Sequence, residues 1–90
     1  MLYIVRTRQI KDDNFKPLEQ PNNVYVAIEY EGSIGLAYFT KHFQNAKTFI
    51  SPEQAKTFIK YTNLKDERYD LSSLEICEIN FIPVEVVKYE

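Results

Sequence analysis

Ser51-Pro52-Glu53-Gln54 sets the start of a helix. A serine hydroxyl accepts readily from the unpaired N–H groups of a first helical turn. Proline at the first helical position loses nothing by lacking an N–H. Glutamine three residues after the cap reaches back to close a capping box. Downstream, Ala55, Phe58 and Ile59 carry the i, i+3, i+4 spacing of one buried stripe, with Lys56 and Lys60 on the opposite side. These residues predict a helix from about Pro52 to Thr62, stopped by a left-handed Asn63 with Leu64 folding back behind it.

On either side of this helix the chain reads as strand. Residues 2–10 alternate, with Leu2, Ile4 and Ile10 on one face and Tyr3 and Val5 on the other. Both faces begin apolar, which predicts a central strand. Lys11–Asn23, polar and carrying Pro17 and Pro21, reads as a loop. Val24–Glu31 alternates cleanly: Val24, Val26, Ile28 and Tyr30 share one face, Tyr25, Ala27, Glu29 and Glu31 the other. Tyr25, aligned with two glutamates, is expected to face solvent. Glu31-Gly32-Ser33 turns the chain back into Ile34–Thr40, its hairpin partner. The small residues Ala27, Gly35 and Ala37 are read as marking the face that the helix approaches. Lys41–Ala46 is a connection, and Lys47–Ile50 a short edge strand. Lys65–Ser73 is a charged loop. Strand character resumes at Leu74, is interrupted by Pro83, and continues through Val84, Val86 and Val87. The predicted architecture is α+β, a single domain over residues 1–90. An antiparallel sheet of four to five strands is packed by one helix, in the order β-β-β-(β)-α-β.

Composition bounds the function. Seven Tyr and six Phe against two Gly and no Trp describe a sheet packed by rings, with few glycine turns. A 90-residue chain buries about 60–65% of its unfolded surface in one core. No apolar run approaches the roughly 20 residues of a membrane span. In Met1-Leu2-Tyr3-Ile4-Val5-Arg6 the basic residue follows the apolar run, the reverse of a secretory signal. A single cysteine, Cys77, excludes an internal disulfide, and one cysteine with one histidine excludes a Cys/His metal site. A reducing cytoplasm is the expected compartment. The net charge of −2 is uneven: residues 41–65 hold five Lys against Glu53, and residues 66–90 hold seven acids against Arg68 and Lys88.

No constellation for bond-making emerges. His42 lies in Lys41-His42-Phe43 beside no obvious Ser or Cys partner. Cys77 alternates with Ile79 and Phe81 and reads as a small buried hydrophobe. The acidic pairs Asp12/Asp13, Glu29/Glu31 and Asp66/Glu67 fall in loops, near turns or on outer faces, where solvation accounts for them. Gly32 and Gly35 flank a hairpin and form no phosphate cradle. The chain is read as a non-enzyme without metal or cofactor.

Binding is the remaining class. Tyrosines on strands supply contact area at low entropic cost. The candidate partner-binding residues are Tyr25, Tyr38, Lys41, His42 and Lys47. One alternative is single-stranded nucleic-acid binding through the basic, aromatic stretch 38–49, where Tyr38, Phe39, Phe43 and Phe49 interleave with Lys41, His42 and Lys47. Another is a homodimeric or structural protein joined through strand 84–89, set off by Pro83 as an edge.

Thr40-Lys41, Asn45-Ala46-Lys47-Thr48-Phe49, Ser51-Pro52-Glu53-Gln54-Ala55 and Phe58-Ile59 together resemble a recurrent pattern. It is that of small proteins encoded by phages and prophages of low-GC Gram-positive bacteria. In that pattern a hairpin precedes an Asn/Asp-Ala-Lys-x-Phe segment, a capped helix with an Ala-x-x-Phe-Ile stripe, and a closing strand rich in Glu, Ile and Val. Leu74-Glu75-Ile76-Cys77-Glu78-Ile79 stands in the place of that strand, so the resemblance spans about residues 24–80. It implies an accessory or host-directed role: binding a host protein, such as a defence or replication factor, in the host cytoplasm and acting by occupying its surface.

Overall fold

A computed structural model describes all residues, 1–90. Five strands form one fully antiparallel sheet: β1 (Tyr3–Lys11), β2 (Pro17–Glu31), β3 (Ile34–Thr40), β4 (Leu74–Glu78) and β5 (Pro83–Val87), in the spatial order β3-β2-β1-β4-β5. One helix, α1 (Pro52–Tyr61), lies between β3 and β4 in the chain and covers one face of the sheet. The fold is α+β as the sequence predicts. Its fifth strand falls after the helix, because Pro83 interrupts the last strand segment instead of ending it.

The helix starts as its cap residues dictate. Ser51 is extended, and its hydroxyl accepts from the Gln54 N–H at 3.1 Å. The Gln54 side chain reaches one residue further back than a standard capping box, accepting from the Ile50 N–H at 2.8 Å. The far end differs from expectation. Thr62 leaves the helix in an extended conformation, φ −111°, and Asn63 is not left-handed. The exit is drawn by Leu64, which is buried and whose N–H donates to the Tyr89 hydroxyl at 3.3 Å.

Alternation assigns each face. Register pairs Thr7 with Val24, Val26 with Phe39 and Val5 with Ile76, so these residues share the helix side with Leu74. There Val5, Val26, Leu74 and Ile76 pack against Ala55 and Ile59 of α1 and against Phe49 and Leu64. Lys56 of α1 reaches Glu85 of β5 at 3.0 Å, across the rim of this layer. Gly35 and Ala37 are on the helix side, but Ala27 is not: it pairs with Tyr38 on the opposite face. A strand's alternation separates residues 27 and 35 once the two-residue turn sets the register.

Two further expectations are corrected. Most of the stretch read as a loop, Lys11–Asn23, is strand, because β2 begins at Pro17 and leaves only a short turn after Lys11. Asp12 closes that turn by accepting from the Asn14 and Lys16 N–H groups, with Phe15 left-handed at φ 60°. The prolines are tolerated because β3 ends opposite Tyr25, so Pro17 and Pro21 lie where β2 has no neighbour on that side. The segment Lys47–Ile50 is reduced to one bridge, in which Tyr3 and Phe49 exchange two 2.8 Å backbone bonds. The β1–β2 ladder runs from Arg6↔Tyr25 toward Lys11, and the Lys47 N–H donates to the Val26 carbonyl at 2.9 Å in the gap before it.

Candidate functional site

The face of the sheet away from α1 carries no α-helix. Its middle is capped by two rings. Phe43, from the 3₁₀ turn Phe43–Asn45 that follows β3, and Phe81, from the β4–β5 turn, meet 4.9 Å apart above Ile4, Tyr25 and Cys77. The Tyr25 ring lies 5.8 Å from Phe43 and 5.9 Å from Phe81. Phe81 holds a left-handed backbone, φ 69°, unusual for so large a side chain, and its ring contacts accompany that conformation. Beside it Arg6 pairs with Glu75 at 3.1 Å and lies over the Phe81 ring, with its Nε buried and unpartnered.

Beyond this cap the face is open along both outer strands. On β3, Ile34, Leu36 and Tyr38 are 64%, 54% and 40% exposed, and register places Glu31, Glu29 and Ala27 beside them. On β5, Val84 and Val86 are exposed as well. The two outer strands differ in kind. Ile34-Gly35-Leu36-Ala37-Tyr38-Phe39-Thr40 contains no charge and no proline. In β5, Pro83, Glu85 and an irregular register near Cys77 blunt the edge in the way natural sheets avoid pairing with strangers.

The five residues singled out in the sequence do not share one surface. Tyr25 is 8% exposed and forms the floor of the ring cap, so it does not face solvent. Its partners come from distant segments that strand periodicity does not reveal. Tyr38 stands on the open face. His42 is exposed, its N–H donating to the Thr40 hydroxyl at 3.1 Å. Lys41 belongs to the other side of the sheet, lining a polar cleft of about 290 Å³ with Gln9, Asp12, Asp13, Phe39 and Tyr69. Lys47 sits with its ammonium 5.5 Å from the centre of the Phe49 ring. The exposed pair Ile34 and Leu36 was legible only as alternation; nothing local marks which face a helix leaves bare.

The acidic groups beside the polar cleft are engaged. Asp12 serves its turn, and Asp13 pairs with Arg68 at 2.9 Å. Arg68 also grips Asp66 through Nε at 3.0 Å and Nη2 at 2.7 Å and lies over Tyr69, which stacks on Phe39 at 4.3 Å. Its hydrogen bond to Arg68 holds the Asp66 carboxyl below its ordinary value of 3.8. Burial pushes the Tyr69 phenol up. No three His, Cys, Asp or Glu side chains are grouped to hold a metal ion. No helix is long and apolar enough to cross a membrane.

Cys77 is fully buried, and burial pushes its thiol above the ordinary value of 9.0, Arg6 pulling the other way. A raised folded-state value makes its contribution to stability complete below 9.0, with a decline as pH rises through that raised value. A thiol reagent at neutral pH is therefore expected to label the native protein only as fast as it opens. Immediate stoichiometric labelling without unfolding would contradict the burial.

Compared with known protein families, with curated proteins and with solved structures, the chain matches none.

Proposed function

We propose that this is a non-catalytic protein-binding module whose contact surface is the open sheet face along β3. One observation carries the reading: Ile34, Leu36 and Tyr38 form a continuous exposed apolar strip on an uncharged outer strand. Contiguous apolar surface of this kind, rimmed by Glu29 and Glu31, is what protein partners cover. The resemblance to small phage and prophage proteins gives the partner class, a host protein in the bacterial cytoplasm, modulated by having a surface occupied. Nucleic-acid binding through residues 38–49 has weaker support, because Tyr38 and Lys41 lie on opposite faces of the sheet and Lys47 is directed at Phe49.

The test is capture from a lysate of a low-GC Gram-positive bacterium, at moderate salt and after nuclease treatment. The wild-type chain is expected to retain one specific protein, and Leu36→Lys to retain at least about tenfold less, the effect of placing a charge in an apolar contact. Leu36→Lys leaves the β2–β3 ladder in place, so its fold is expected to survive. Equal capture by Leu36→Lys would refute the surface. Capture abolished by nuclease, or by Lys41→Ala with Lys47→Ala together with a steep salt dependence, would favour nucleic acid instead.

A further inference from the structure

The free edge of β3 is a row of backbone groups with nothing paired to them. Gly32, left-handed at φ +64°, and Ser33 make a two-residue turn, so the closing pair Glu31↔Ile34 exchanges hydrogen bonds. Bonded and non-bonded pairs alternate from there: Glu29↔Leu36 and Ala27↔Tyr38 bond inward, which turns the N–H and C=O of Gly35, Ala37 and Phe39 outward. The same alternation aims the Val26 carbonyl away from β3, where the Lys47 N–H meets it at 2.9 Å. No backbone hydrogen bond outside the ladder engages Ile34–Thr40. Residues 63–69 face Ala37–Phe39 across a cleft of about 160 Å³, with Tyr69 stacked on the Phe39 ring on the helix side of the sheet.

We propose that β3 pairs with β3 of a second copy of this chain, antiparallel, about a twofold axis through Ala37. Among the ways of pairing this edge with itself, the axis at Ala37 uses all three outward-facing residues of each copy. Ala37 bonds its own counterpart, and Gly35 of each copy bonds Phe39 of the other. Side chains match as well as backbone. The glycine faces the Phe39 ring, with no β-carbon to obstruct it. On the open face, Leu36 lies opposite Tyr38, so apolar groups meet across the middle of the seam, and Ile34 lies opposite Thr40 at its ends.

Charge points to the same occupant. Neither strand brings a charged side chain to the seam, so two like-charged chains meet there without repulsion. At each end of the seam the turn of one copy, with Glu31, comes beside Thr40 of the other, and the twofold axis repeats that contact. The other free edge, β5, is blunted by Pro83 and Glu85, which moves self-association away from the strand 84–89 expected in the sequence.

The consequence for function rests on the reading above. Pairing joins two sheets into one of ten strands and sets the two Ile34-Leu36-Tyr38 strips side by side, giving a partner one larger, twofold contact surface. The pairing itself is measured without any partner, so its failure is distinct from a failure of the binding reading.

Sedimentation of the purified chain across a concentration series is expected to show monomer passing to dimer. Amide exchange followed by NMR is expected to slow at Gly35, Ala37 and Phe39 as concentration rises, while Leu36 and Tyr38 amides are protected throughout by β2. Ala37→Pro removes only an outward N–H, so it is expected to fold normally and to weaken the dimer by about thirtyfold or more, the value of two lost hydrogen bonds. A chain that stays monomeric at every concentration overturns the proposal. So does a dimer in which the Gly35, Ala37 and Phe39 amides exchange no more slowly than in the monomer, or one that a folded Ala37→Pro retains at full strength.

Discussion

Phe49→Ala is expected to cost about 3–5 kcal/mol of stability, a large part of the roughly 5–15 kcal/mol that holds a typical domain together. Three features make this the most sensitive position in the core. Its side chain is only 1% exposed and is the largest of the fully buried residues. It meets Phe58 of α1 at 5.2 Å, edge to face, and so couples helix to sheet. Its backbone is fastened through both its N–H and its carbonyl to Tyr3, so the surroundings have little freedom to close over a cavity. Urea denaturation followed by circular dichroism checks the figure: the midpoint should fall sharply with little change in slope. Ile50→Ala, next in the chain but exposed, should leave the midpoint within about 0.5 kcal/mol of wild type. A Phe49→Ala protein as stable as wild type would mean that the helix is not anchored through this ring.

Tyr25→Ala is expected to cost about 3 kcal/mol, and this decides between two roles for the residue. Seen as sequence, Tyr25 is a contact residue, aligned with Glu29 and Glu31. In the structure it supports the Phe43 and Phe81 rings, and its loss would leave both without a floor. Tyr25→Phe keeps the ring and is expected to stay within about 1 kcal/mol of wild type. A double-mutant cycle with Phe43→Ala should return a coupling of about 0.5–1.5 kcal/mol, the value of an edge-to-face aromatic pair. Full stability in Tyr25→Ala combined with loss of partner capture would restore Tyr25 to the binding surface.

The two variants also separate the layers. Phe49 belongs to the core under the helix, Tyr25 to the smaller cluster on the other face. Unfolding of the chain as one cooperative unit predicts a single transition for both variants, since every strand contributes to both faces.

How much of this was legible in the chain depends on the distance over which each signal acts. Ser51, Pro52 and Gln54 specify the helix start because capping is settled within four residues, and the structure forms it there. Alternation in Val24–Glu31 and Ile34–Thr40, with Gly32 between, specifies a hairpin and its register for the same reason. Local rules failed where a neighbour overrode them. Pro17 and Pro21 signal a loop, yet they sit in a strand because that stretch of β2 lacks a neighbour on one side. Asn63 signals a left-handed stop, yet burial of Leu64 and its bond to Tyr89 draw the chain out extended.

The candidate site divides along the same line. The sequence by itself determines that Ile34, Leu36 and Tyr38 share a face, that their strand is uncharged, and that no cluster of metal-binding or nucleophilic residues lies close in the chain. Alternation has a period of two and carries no label for inside or outside. Only the tertiary structure decides that the helix covers Val5, Val26 and Ile76, that Phe43 and Phe81 close over Tyr25, and that β3 is left as an outer strand with its backbone unpaired. The physical reason is that burial and edge position depend on contacts between residues far apart in the chain, which no window of neighbouring residues contains.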